Sequence, residues 1–117
     1  MTTSHHTARV ETLLWTAQRA TAAVLAICVA VHLATIIYAV RGGLTAAEIL
    51  ERLRGSYGWM LFYTLFVLAV AIHAPIGLRA ILREMTPWRG PSLDAATALV
   101  AMLLVIIGWR AVGGLVG

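Results

Sequence analysis

Two histidines lie where an ionisable side chain is expensive to keep: His32 within Val29-Ala30-Val31-His32-Leu33, and His73 within Val70-Ala71-Ile72-His73-Ala74-Pro75-Ile76-Gly77. An imidazole in such a run can ligate a metal or bond to a neighbouring helix. At membrane depth it usually faces the interior of a bundle and marks function. The structural alternative is a neutral ring bonded to a carbonyl. Arg19 stands inside the first apolar segment among Trp15, Thr16, Gln18 and Thr21. It is either a donor for an anionic or carbonyl-bearing ligand or a helix-end anchor. His5 and His6 fall in a polar tail, Met1 to Val10, and read as solvated.

The elements that carry these residues must be membrane helices. Of 117 residues, 61% are hydrophobic and 12% charged, with a mean hydropathy of +0.87. A soluble globule of this size has too little interior to hide that surface. Three apolar stretches, about 13–40, 59–81 and 95–116, each exceed the ~20 residues a helix needs to cross a ~30 Å hydrocarbon layer. Lipid leaves a lone segment no other way to pair its backbone. The fold class is therefore an all-α membrane protein of three transmembrane helices in a single domain, 1–117. The polar tail lacks the early apolar core and cleavage pattern of a signal peptide, so the first segment reads as retained.

In the first connector, Thr45-Ala46-Ala47-Glu48 is a capping box that predicts a short amphipathic helix ended by Gly55. Ile49, Leu50 and Leu53 should face the membrane or a neighbour while Glu48, Glu51, Arg52 and Arg54 stay wet. Glu48 and Arg52 are spaced for an i,i+4 pair. The second connector, 84–91, carries Trp88, which suits the headgroup layer. In the third helix Ala95, Ala96, Ala98 and Ala101 suit close packing, with Trp109 and Arg110 near an interface.

All nine basic residues are arginine, and the net charge is +4. They sit near segment ends, where they can reach phosphates or carboxylates. No basic stretch is dense enough for nucleic acid. With the N-terminus inside, Arg9, Arg19, Arg79, Arg83 and Arg89 lie on the inner side, against Arg41, Arg52, Arg54 and Arg110 outside. Five against four votes for a cytoplasmic N-terminus. Cys28 is the single cysteine, and no Cys-x-x-Cys-His occurs, which excludes covalent c-type haem attachment.

Both histidines lie beyond the middle of their segments. Antiparallel helices then put them at opposite levels, roughly 10–15 Å apart at 1.5 Å per residue. They cannot serve one iron, but each could be one axial ligand of a different haem, completed by a histidine of another chain. Gly77 sits one turn from His73 on the same face, where a porphyrin would lie or another helix would pack. Arg79 could meet a haem propionate or snorkel, and Pro75 would bend the helix locally.

These residues resemble the cytochrome b membrane anchors of succinate dehydrogenase and quinol:fumarate reductase. Gln18-Arg19-Ala20-Thr21 followed by His32 looks like the Arg-x-(Ser/Thr)-Gly…His pattern of the two-haem anchors. Phe62-Tyr63 followed by His73-Ala74-Pro75-Ile76-Gly77-Leu78-Arg79 is similar to their His-x3-Gly-(Ile/Leu/Val)-Arg signature. The family glycine is Ala22 here, a second histidine often found after the arginine is Ala80, and Trp15 stands where one-haem relatives have a serine.

The resemblance implies haem b on His73 and His32, with Arg19, Thr21, Gly77 and Arg79 around the cofactor. It also implies a quinone site near Trp15, Gln18 and Arg19. Electrons would pass between an iron–sulfur subunit, fed by a flavoprotein, and quinone. The chain itself would be a non-catalytic subunit of an oxidoreductase, in a bacterial inner membrane. A second three-helix subunit, identical or related, would supply the missing ligands. Two other readings are a haem b subunit of another quinone-linked oxidoreductase, such as a hydrogenase or formate dehydrogenase, and a haem-free assembly or interaction subunit. A transporter is disfavoured, since no internal repeat is visible.

Overall fold

The computed structural model describes residues 2–117, the side chains of residues 2–4 and 6 excepted. Four helices follow in order: α1 (Thr2–Arg41), α2 (Ala46–Leu53), α3 (Tyr57–Met85) and α4 (Pro91–Val116). No strand occurs among the described residues. α1, α3 and α4 are each long and apolar enough to cross a membrane, so the all-α expectation holds and the chain is a multi-pass membrane protein.

Helix α1 starts eleven residues before its apolar stretch. Nothing between residues 2 and 12 breaks a helix, and the Thr12 and Thr16 hydroxyls donate to the carbonyls of Ala8 and Thr12, both at 2.9 Å. The tail read as merely polar is thus the exposed first turns of a 40-residue helix, about 60 Å long at 1.5 Å per residue. That is the full 60 Å length of the molecule. His5 is exposed on it; the side chain of His6 lies outside the described residues.

The capping box forms as the sequence demands. Thr45 Oγ1 accepts from the Glu48 amide at 3.2 Å, and Glu48 Oε2 accepts from the Thr45 amide at 2.8 Å. Glu48 is thereby spent on the cap, and the expected Glu48–Arg52 pair does not form. Gly55, at φ +73°, takes the left-handed conformation that turns the chain toward α3. Its amide donates to the Val116 carbonyl at 2.9 Å, which ties the connector to the end of α4. There Leu53 is buried with Val112 and Val116, under Ile49, Trp59 and Tyr63. Glu48, Glu51, Arg52 and Arg54 remain exposed.

Helix α3 is the hub: it packs along α4 on one side and α1 on the other. Of the four alanines expected to pack α4, Ala95 and Ala98 are exposed while Ala96 and Ala101 are half-buried. The closest approach lies instead at Gly108, where a Cβ would collide with the Val67 side chain. Small residues admit such contact because lipid gives helices no hydrophobic reason to associate. α3 runs unbroken through Pro75, which is buried.

Candidate cofactor site

His73 enters the site from α3 and meets α1 at Thr21, whose Oγ1 lies 3.2 Å from His73 Nδ1. The hydroxyl owns one proton and faces two helical carbonyls, Ala17 O at 2.7 Å and Gln18 O at 3.2 Å. With that proton on the nearer carbonyl, Thr21 would accept from the imidazole. In that arrangement His73 Nδ1 carries the hydrogen and Nε2 keeps its lone pair. A metal-binding imidazole is held in this state when an acceptor engages its other nitrogen.

Gln18 stands one turn before Thr21 on the same face of α1 and lies over Gly77. A Cβ on Gly77 would come 3.2 Å from Gln18 Nε2, while Gln18 Oε1 is buried without a hydrogen-bond partner. Gln18, Thr21, His73 and Gly77 thus form one cluster at the α1–α3 seam. Its features are an imidazole, a notch at Gly77 that the Gln18 amide fills, and an unsatisfied amide oxygen. These residues could hold haem b only with the Gln18 amide turned aside from Gly77.

His32 is built differently. Its ring lies edge-on to Tyr63 (centroids 5.9 Å apart) and Phe66 (5.7 Å), and Nδ1 is buried with no hydrogen-bond partner. Trp59 and Phe62 extend the aromatic group toward the connector end of the bundle. Thr21 and His32 are eleven residues apart on α1, about 16 Å of helix, so the two imidazoles stand at different levels.

The remaining predicted residues divide. Arg79 is engaged within the chain: Nε donates to Asp94 Oδ1 at 2.9 Å and Nη2 to Glu11 Oε1 at 3.4 Å, while Arg83 reaches the same Glu11 oxygen at 3.1 Å. These four charges cancel and join α1, at Glu11, to the last turns of α3 and the first turn of α4. Trp15 and Arg19 turn outward and pair with each other, the guanidinium 5.0 Å from the indole centroid. Trp15 and Gln18, but not Arg19, border a cleft of about 210 Å³ that ends on Glu11 and Arg79. The expected grouping of Trp15, Gln18 and Arg19 is therefore split between a cleft and an open face.

Glu11 and Asp94 escaped the sequence reading. Their signal is scarcity: the chain has five acidic residues, and two of them lie at the helix ends nearest Arg79 and Arg83. The aromatic slot for His32 was readable as the run Trp59, Phe62, Tyr63, Phe66, spaced to return to one face.

The family described as Succinate dehydrogenase/Fumarate reductase transmembrane subunit matches residues 2–111. No curated protein and no solved structure gives a match.

Proposed function

The chain belongs to the succinate dehydrogenase/fumarate reductase transmembrane subunit family, and from that premise we propose that it is a haem b-bearing anchor carrying electrons between the iron–sulfur subunit and quinone. Family membership makes it a membrane subunit of an oxidoreductase complex. The observation that carries the finer reading is the bond between Thr21 and His73, which leaves Nε2 of His73 as a neutral ligand. Haem b, when bound, supplies a one-electron couple in the apolar layer.

The chain's own residues do the rest. His73 offers one ligand, Thr21 fixes its tautomer, and Gly77 clears the adjacent surface. His32 offers a second ligand about 16 Å of helix away, for a second haem. One imidazole per level leaves each iron a ligand short, so a second three-helix subunit, a copy or a relative, completes both. Trp15 and Gln18 border the cleft where quinone would exchange electrons. The N-terminus lies on the cytoplasmic side of a bacterial inner membrane in this reading, beside the flavoprotein and iron–sulfur partners.

Two observations favour a haem-free packing role: the Gln18 amide lies over Gly77, and Arg79 is occupied by carboxylates. Dithionite-reduced minus oxidised spectra of the purified complex, with haem counted per chain, separate the readings. We expect low-spin b-type bands, reduced stepwise by His32→Ala and His73→Ala. Loss with His73→Ala alone would mean one haem and leave His32 to packing. A colourless, properly assembled complex would sink the haem assignment.

A further inference from the structure

We propose that the cleft between the C-terminal end of α1 and helix α2 binds the phosphate of an anionic phospholipid, held by Arg41 and Arg52. The cleft measures about 490 Å³ and is lined by both arginines and Tyr38 above Ala34, Ile37 and Leu44. It is independent of the haem reading and lies 20 residues along α1 from Thr21, about 30 Å of helix.

The two guanidiniums are free for such a ligand. No carboxylate lines the cleft. Among the described residues, neither Arg41 nor Arg52 makes an ion pair or a side-chain hydrogen bond. The obvious mate for Arg52, Glu48, is consumed by the capping box. Arg41, at the end of α1, is not needed as a cap either. The carbonyls of Tyr38, Ala39 and Val40 already accept from the amides of Gly42, Leu44 and Gly43, at 3.0, 3.0 and 3.1 Å.

Two unpaired arginines lining one cleft leave an excess of positive charge there, which an anion would neutralise. Guanidinium suits a phosphate, which it can grip with two parallel bonds. The Tyr38 hydroxyl adds a neutral donor. Below these groups the wall becomes aliphatic, so the ligand should be charged at one end and apolar at the other. That chemistry is a phospholipid's, in the leaflet on the side of the first connector. With the N-terminus cytoplasmic, as proposed, that is the outer leaflet, so the two guanidiniums and not a negative surface potential would select the lipid.

A haem propionate is excluded as the occupant by the helix geometry. Ala34, Ile37, Tyr38 and Arg41 lie on the side of α1 turned away from His32. Arg41 follows it by nine residues, about two and a half turns.

The test is native mass spectrometry of the detergent-purified full chain, titrated with phosphatidylglycerol, phosphatidylcholine or inorganic phosphate. Variants are Arg41→Gln, Arg52→Gln and the double substitution, with helicity by circular dichroism confirming the fold. We expect one saturable phosphatidylglycerol adduct, weakened roughly fivefold by each single change and roughly thirtyfold by both, at ~1 kcal/mol per arginine. Equal binding of phosphatidylcholine, or an adduct that survives the double substitution, would overturn the proposal. Competition by inorganic phosphate at matching concentration would also overturn it, since the ligand would then be a free anion. If a partner subunit's carboxylates fill the cleft, the assembled complex should lose the adduct while the isolated chain keeps it. That outcome would overturn the lipid as the physiological occupant.

Discussion

His73 and His32 sit in the same bundle, yet one is finished and the other is not. His73 has its Nδ1–H satisfied by a hydroxyl whose own proton is committed elsewhere. His32 has a buried Nδ1 with nothing to bond, its ring edge-on to Tyr63 and Phe66. An orphaned buried polar atom costs about 1–3 kcal/mol, more than a typical hydrogen bond returns. The seam at Thr21 is thus set by this chain alone, whereas the aromatic slot retains a cost that only a further group can remove.

The sharpest way to break that contrast is to exchange the imidazoles for a ring without nitrogen. His32→Phe should stabilise the isolated chain in detergent by about 1–3 kcal/mol, because an apolar ring suits the Tyr63–Phe66 slot and the orphan disappears. His73→Phe should destabilise it. A lower melting temperature for both variants would show that His32 is satisfied after all.

Thr21→Val comes next. It removes the acceptor at nearly constant volume and should cost about 1 kcal/mol. On the proposed haem reading, losing the same bond should raise the midpoint potential of a haem held by His73 by roughly 20–60 mV. Thr21→Ser should restore it, and an unshifted potential in the valine variant would remove Thr21 from the positioning role.

Arg79→Gln should cost about 1 kcal/mol or less, since its partners are substantially exposed and such pairs are weak. The loss should shrink as salt is raised, and a salt-independent loss would argue for packing instead. Gly77→Ala is the smallest effect, a few tenths of a kcal/mol at most. Its new methyl meets only the movable end of Gln18, so a change above 1 kcal/mol would mean that Gln18 cannot turn aside.

Much of this was legible in the chain. Three long apolar runs dictate three helices whatever their partners, and the Thr45–Glu48 box fixes α2 locally. The two histidines announced themselves by their cost, and their antiparallel placement followed from counting along each segment. What could not be read was which side of α1 faces α3. An apolar helix in lipid has little polarity contrast around its circumference, so the outward turn of Trp15 and Arg19 and the inward turn of Gln18 were invisible. The engagement of Arg79 by Glu11 was hidden for a related reason. It depends on α1 continuing as helix through residues whose polarity looked like a tail.

The hub position of α3 has a consequence for the order of assembly. Arg79 and Asp94 are 15 residues apart, across a short connector, whereas the Thr21–His73 contact spans 52 and the Glu11–Arg83 contact 72. Closing a longer loop costs more chain entropy, so we expect α3 and α4 to pair first and α1 to dock last. Cys28, on α1, falls to 2% exposure in that docking. A bulky label attached to it in the denatured chain should therefore block α1 while leaving the α3–α4 pair formed; a label that also prevents that pairing would reverse the order. Because Thr21 arrives with α1, His73 would spend the early life of the chain with its tautomer unset. On the proposed haem reading, the ligand state of His73 would then be set only in the final docking step.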